Sequence, residues 1–374
     1  MKQGVQKLYL ILFAVVICVP WAARMLGEHA DVPGSENRIS AQKPVLHADT
    51  WKEYPSAYEA WFNDTIPFRD ELITLHGFVN YRLFHTSVND SVLPGKGKWL
   101  FYKSEQDGNP IGNYEGTNVF GAEETDAIKT AALHVQDRLE KMGIKTAFLI
   151  PPDKERIYSQ YMPDCYVLAE QSRTGKLVPE LKKAGVHITY PEKELRNAAS
   201  ENQLYYAYDT HWNQLGAYVG TAAVLETYGM QLPALDGLTV LSHPLRDNYH
   251  ICALDDLANM LNLREAVFWD EMEYVIEENY RTDWQEVTDG LIHVKNRQAP
   301  CEKTLLLIGD SFRVSMIPAL ATCFTDVYAV HRGSYTPDML NGTKPDYLIA
   351  EYVERYSGQL ADAERMIFGS DEQE

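Results

Sequence analysis

Leu305-Leu306-Leu307-Ile308-Gly309-Asp310-Ser311-Phe312 joins an apolar run to a Gly-Asp-Ser turn, and a helical pattern follows from Phe312 to Phe324. Four apolar residues bounded by turn residues read as a buried strand. Gly-Asp-Ser by itself is an ordinary turn, since Gly tolerates positive φ while Asp and Ser bond their own backbone. The strand–turn–helix setting adds chemistry to it. The serine falls at a helix start, where its backbone N–H can hold a developing oxyanion. Asp310 is expected to bond the turn backbone.

A serine hydroxyl is a poor nucleophile until a base takes its proton, and the base works best when a third group fixes its tautomer. About a hundred residues upstream, Tyr208-Asp209-Thr210-His211-Trp212-Asn213 places a carboxylate two residues from an imidazole. Taken alone, a His beside a Trp is more often a packed, hydrogen-bonded residue than a catalyst. Taken with Ser311, the pair supplies the residue types for a serine ester mechanism: Ser311 nucleophile, His211 base, Asp209 orienter.

Around these segments strands and helices alternate. Helical patterns cover Ala57 to Phe84 (interrupted at Asn63 to Pro67), Ala122 to Met142, Leu177 to Ala184 and Leu215 to Tyr228. Strand patterns cover Lys98 to Tyr102 after a glycine turn, Thr146 to Ile150, Val186 to Tyr190, Leu305 to Ile308, Val327 to Val330 and Tyr347 to Ala350. Such alternation implies a mainly parallel central sheet covered on both faces, with ligands bound beyond the carboxyl ends of the strands. The stretch 236–300, acidic and aromatic, breaks the rhythm and reads as an insertion or a small antiparallel subdomain.

The chain has 374 residues, 45% of them hydrophobic, enough for a sizeable core and against long disorder. Its net charge of −19 argues against a nucleic-acid partner, because phosphate binding needs a basic surface. Leu8 to Ala23 carries no charge. As a helix its sixteen residues span roughly 24 Å against a ~30 Å hydrocarbon core, and Lys7 and Arg24 can snorkel to extend it. Lys2 and Lys7 before the run place the N-terminus in the cytoplasm and the remainder outside. Cutting after Ala22 or Ala23 would leave Pro20 or Trp21 at −3, so an uncleaved anchor is favoured over a removed signal.

The expected organisation is an anchor at 1–26, a stalk at 27–52, a main domain at 53–360 with the insertion inside it, and an acidic tail at 361–374. Of the five cysteines, Cys165, Cys252, Cys301 and Cys323 could form two disulfides or remain buried thiols. His243, His250 and His293 lack ligand spacing, so neither metal nor cofactor is expected.

These segments together resemble the SGNH-hydrolase-like alginate O-acetyltransferases (AlgJ/AlgX type) and their DHHW relatives. Glu36-Asn37-Arg38 with Lys43-Pro44, the Tyr58 to Arg69 stretch and Gly95 to Tyr102 carry the likeness in the first third. Ile150-Pro151-Pro152-Asp153-Lys154 and Lys344 to Tyr356 carry it further on. The resemblance implies an SGNH-like three-layer α/β/α fold with a circularly permuted motif order, because the Asp-x-His pair precedes the serine here. One departure is that Thr210 stands where DHHW relatives have a histidine. The resemblance also suggests ion pairs at Lys154, Arg69 and Arg355.

The function implied by the resemblance is that of a membrane-anchored extracytoplasmic O-acetyltransferase, which moves acetyl through a Ser311 ester to a polysaccharide hydroxyl. Arg313, Tyr335 and Asn213 are candidates for further oxyanion donors or substrate contacts. No acetyl-CoA is available outside the cell, so the resemblance implies a membrane-bound O-acyltransferase as acetyl donor. Two alternatives stand beside it: a carbohydrate acetylesterase with the same three residues, and a non-catalytic scaffold.

Overall fold

A computed structural model describes residues 2–26, 41–245, 256–263, 271–277, 283–287 and 290–369. Glu36-Asn37-Arg38, His250 and Cys252 lie outside the described residues. The chain divides into two compact units, Met1–Val88 with Leu261–Arg264, and Asn89–Met260 with Glu265–Glu374.

The first unit is helical. Its leading helix, Lys2–Met25, is longer than the uncharged run, because the flanking polar residues continue the same turn pattern. Helices Tyr54–Asp64 and Arg69–Val79 follow, and the latter runs on as a π-helical turn, Asn80–Phe84. Arg24 donates to Thr65 O and Oγ1, both at 3.1 Å, and its guanidinium lies 4.7 Å from the Trp61 ring centre.

The second unit is the α/β body. Its strands in chain order are β1 (Val92–Pro94), β2 (Leu100–Tyr102), β3 (Lys145–Leu149), β4 (Ile188–Thr189), β5 (Val240–Pro244), β6 (Met272–Ile276), β7 (Asp283–Val287), β8 (Leu291–Lys295), β9 (Cys301–Gly309), β10 (Phe324–His331) and β11 (Tyr347–Glu351). Seven form the central sheet in the order β4-β3-β11-β9-β10-β8-β7. The pairings from β4 through β10 are parallel, and β8 and β7 close one edge as an antiparallel hairpin. The sheet is therefore mainly parallel, as the alternation predicts. The stretch 236–300 contributes that edge hairpin and a separate antiparallel pair, β5 with β6.

Period-two alternation sorts the strand residues between two layers. Leu306 and Ile308 of β9 join Phe148, Val330 and Leu348 against Val135 and Leu139 of the helix Ala122–Lys141. Leu305 and Leu307, equally buried, point to the opposite face. That face is covered by the helices Gln214–Leu225 and Ile317–Cys323. Gln214–Leu225 is apolar almost all round, as a helix between a sheet and other helices must be. The fold is an α/β/α sandwich, and the carboxyl ends of β9, β10 and β11 meet at one rim.

Candidate active site

β9 delivers the serine to that rim. Gly309 ends the strand where a side chain has no room: a Cβ there would meet Glu351 Oε2 at 2.3 Å. Asp310 then organises the turn. Its Oδ1 accepts the Phe312 N–H at 3.0 Å, its Oδ2 accepts the Val353 N–H at 2.9 Å, and its own N–H donates to Glu351 Oε2 at 2.9 Å. Burial and the Asp310 charge push the Glu351 carboxyl well above its usual value. Asp310 thus bonds the turn, as expected.

The helix expected from Phe312 to Phe324 divides in two. Ser311–Met316 is a 3-10 segment, Ile317–Cys323 is α-helical, and Phe324 already belongs to β10. Pro318 supplies the reason. It has no N–H to donate back to Val314, and its ring would clash with that carbonyl in a continuous helix. Ser311 is exposed at the start of the 3-10 turn, and its N–H has no acceptor among the described residues.

The second segment doubles back on itself. Tyr205 bridges Trp212, Tyr206 N–H donates to His211 O at 3.2 Å, and Asn213 N–H to Leu204 O at 2.9 Å, which leaves Asp209 at the tip. Lys154 holds the tip from beneath through the carbonyls of Asp209 (2.6 Å), Tyr206 (3.1 Å) and Ala207 (3.2 Å). Its partners are backbone carbonyls, not the acidic side chain of an ion pair. Burial pulls its ammonium down to about 8, although Glu155, Asp256 and Asp209 act to raise it. Trp212 Nε1–H donates to Phe312 O at 2.9 Å, tying this segment to the serine turn.

Three of the expected site residues meet. His211 Nδ1 lies 2.6 Å from Asp209 Oδ1, and His211 Nε2 lies 2.6 Å from Ser311 Oγ. Asp209 also accepts the backbone N–H groups of His211 (2.7 Å) and Asp256 (3.0 Å). Burial would raise its carboxyl, but the imidazole and these hydrogen bonds hold it at about 2. Burial likewise pulls His211 down, and the Asp209 carboxylate with Asp256 behind it outweighs that, leaving the imidazole above its usual value.

Asp256 was not evident from the sequence. Its Oδ2 lies 3.8 Å from His211 Nδ1, its Oδ1 accepts the Thr210 N–H at 2.8 Å, and the Thr210 hydroxyl donates to Oδ2. Burial and the Asp209 charge push it up to about 6. The only local signal is an acidic residue opening the helix Asp256–Met260. Ligand atoms of Asp209, His211 and Asp256 lie within 4.8 Å of one another. A cation there would have to displace the His211–Asp209 hydrogen bond.

The other three candidates are committed elsewhere. Asn213 is buried, and its Oδ1 caps the helix Gln214–Leu225 by accepting the Leu215 and Gly216 N–H groups at 3.0 and 3.1 Å. Arg313 is buried and donates to Asp310 O at 2.7 Å. Tyr335 sits in the core on the Ala122–Lys141 face and donates to Ile367 O at 3.1 Å. All three are structural here, because helix caps, turns and core hydroxyls use the same donors and acceptors that substrates do. Arg355 does form an ion pair, 3.5 Å from Asp153, and also lies 5.5 Å from the Phe312 ring centre. Cys18, Cys165, Cys301 and Cys323 are free thiols.

A serine at the carboxyl end of a parallel strand, bridged by a histidine to a buried aspartate on an α/β/α body, is an arrangement that several hydrolase-like folds share. The chain belongs to the family described as SGNH hydrolase-like domain, acetyltransferase AlgX, whose model matches residues 92–318. It is 25% identical over 223 residues to the probable alginate O-acetylase AlgJ of Pseudomonas syringae pv. tomato, covering 59% of this chain and 51% of that one. It is 26% identical over 213 residues to the Pseudomonas aeruginosa protein of the same description, covering 56% and 50%. The chain thus spans about half the length of the curated relatives it matches. Bacillus cereus PatB1 shares the fold with a TM-score of 0.53 at 18% identity, over 73% of this chain and 97% of that one. A DHHW family protein from Eubacterium siraeum shares it with a TM-score of 0.50 at 14% identity, over 75% and 99%.

Proposed function

We propose that this protein transfers acetyl groups to hydroxyls of a polysaccharide outside the cytoplasm, through an ester on Ser311. The observation that carries the reading is the His211 ring, 2.6 Å from Ser311 Oγ on one nitrogen and 2.6 Å from Asp209 on the other. His211 Nε2 takes the hydroxyl proton as Ser311 Oγ bonds to the acetyl carbonyl carbon. Asp209 keeps the Nδ1 proton in place and stabilises the imidazolium. The Ser311 N–H faces the developing oxyanion. His211 returns its proton to the leaving group, then takes one from the sugar hydroxyl as that oxygen displaces Ser311 Oγ from the acetyl carbon, and gives it to the departing Oγ.

Residues Gly4–Met25 form a helix long and apolar enough to cross a membrane. Twenty-two residues span about 33 Å, against a hydrocarbon core of about 30 Å. An anchored domain outside the cell needs its acetyl from the membrane, and a membrane-bound O-acyltransferase is the chemical class of partner that supplies it. The alginate named in the two relatives' descriptions is one polysaccharide to test.

Hydrolysis of the same acyl-enzyme is the competing reading, favoured by the exposure of Ser311 to solvent. Incubating the protein with an aryl acetate and candidate oligosaccharides separates the two. Acetyl on the sugar, lost in Ser311→Ala, supports transfer. Free acetate alone indicates an esterase, and activity unchanged in Ser311→Ala overturns both.

A further inference from the structure

In the helical unit, Arg69–Val79 and the π-helical turn Asn80–Phe84 that extends it turn their apolar residues outward. Leu72 is 37% exposed, Leu75 55% and Leu83 74%, with Phe68 at 44% just before the first turn. Together with the half-buried Val79 they recur at three- and four-residue intervals, the rhythm of one helix face. The face that packs is the opposite one. Gly77 has no room for a side chain, because a Cβ there would collide with Leu261 O, and Tyr81 is buried. At about 100° per residue, Gly77 lies roughly half a turn from Leu72, Leu75 and Val79. A helix on the surface of a soluble protein shows the reverse, with its apolar stripe against the core. An exposed apolar stripe of this length marks a surface that something else covers.

The contacts within the same unit indicate what covers it. Arg24 stands in the last turn of the helix Lys2–Met25, at the end of its membrane-spanning stretch. Its guanidinium donates to Thr65 O and Oγ1 and lies 4.7 and 4.9 Å from the ring centres of Trp61 and Phe62. Lys43 Nζ lies 5.2 Å from the Trp61 ring centre. Cations over aromatic rings at the end of a membrane helix are the composition of a bilayer interface. Thr65 is therefore held at headgroup level. The four residues from Thr65 to Arg69 span at most about 14 Å, so the next helix also starts close to that level. Its charges balance, Arg69 and Arg82 against Asp70 and Glu71, in a chain whose net charge is −19. Repulsion from anionic headgroups is thus absent at this helix.

We propose that the segment 68–84 is a second membrane contact, an interfacial helix that lies along the lipid surface with Phe68, Leu72, Leu75 and Leu83 in the acyl boundary. The inference rests on the reading of Gly4–Met25 as a membrane anchor. Interfacial helices bury such a stripe about 5–10 Å deep while the polar face stays at the headgroups. Here the buried Gly77 and Tyr81 face fastens the protein to the helix. The domain would then be held to the bilayer at two places rather than swinging on a single span.

The test uses the full chain reconstituted in lipid nanodiscs with a phospholipid that carries a photoreactive diazirine on its acyl chain. After irradiation, lipid adducts are mapped by peptide mass spectrometry. Adducts are expected on peptides from both 2–25 and 68–84. In Leu72→Glu with Leu75→Glu, adducts on 68–84 should fall at least fivefold while those on 2–25 stay unchanged. Leu83→Glu alone should give a smaller fall, and a thermal melt verifies that each variant is folded. Adducts confined to 2–25 overturn the proposal and leave the anchor standing. Adducts on neither segment overturn both. Equal labelling of 68–84 in the double variant overturns the proposal, because the stripe would not be what enters the lipid. So does a 68–84 segment that is unlabelled by lipid and crosslinks to a second copy in discs holding two, which would make the face a self-association surface.

Discussion

The two segments that meet at the candidate site are held in opposite ways. The serine turn is held by the sheet. Gly309 O accepts the Arg332 N–H at 2.8 Å, Asp310 accepts the Val353 N–H, and Glu351 accepts the Asp310 N–H, so the ends of three adjacent parallel strands fix it. The histidine segment belongs to no sheet. It hangs on remote side chains: Lys154 on three carbonyls, Glu271 Oε2 on the Ala207 N–H at 2.6 Å, and Asp256 on Thr210. The nucleophile is positioned by strand periodicity and the base by buried polar groups. Such groups are well fixed when fully paired and costly when a partner is removed.

That contrast makes the base the more fragile half. Asp209→Asn should cut kcat on an aryl acetate by roughly 10³–10⁴-fold while circular dichroism stays native, because the imidazole loses its fixed tautomer. A loss below tenfold would mean that the bridge has no catalytic use. Lys154→Met leaves three buried carbonyls without their cation and should cost about 3–5 kcal/mol in urea unfolding. On the sheet side, Gly309→Ala forces a methyl onto Glu351 and should cost about 1–3 kcal/mol. If it costs more than Lys154→Met, the ranking of the two supports is reversed.

Asp256→Asn gives the smallest and most specific effect. Catalysis needs neutral His211, so kcat/KM should fall as pH drops through its raised value. Removing the Asp256 charge lowers that value, and the acid limb should move to lower pH by up to about one unit. The wild-type limb should also be the shallower of the two, since Asp256 itself takes a proton near pH 6 and, once neutral, no longer favours the next proton on His211. An unmoved limb with a merely lower kcat would reduce Asp256 to a structural role.

The same contrast explains what was legible in the sequence. β9 and its turn are readable because an apolar run followed by Gly-Asp-Ser has one economical structure, and the neighbouring strands announce themselves in the same way. Asp209 and His211 are readable as residue types two apart. Their supports are not, because Lys154 and Asp256 lie 55 and 47 residues from Asp209 in the chain and touch its segment only after folding. Asn213, Arg313 and Tyr335 mislead for a related reason: a donor near a catalytic motif in sequence is as useful to a helix cap, a turn or a core as to a substrate. The edge hairpin of β7 and β8 hides because its strands lie in a stretch whose acidic and aromatic residues break the strand–helix rhythm.

Whether Ser311 carries the acetyl group is tested most directly by intact mass. The wild-type protein is quenched seconds after mixing with an aryl acetate, weighed, and then mapped by peptides. One added acetyl on the peptide containing Ser311, absent from Ser311→Ala and delayed by orders of magnitude in Asp209→Asn, is the expected result. Turnover without any acetylated Ser311 peptide, or acetyl on another residue at the same rate in Ser311→Ala, would contradict it.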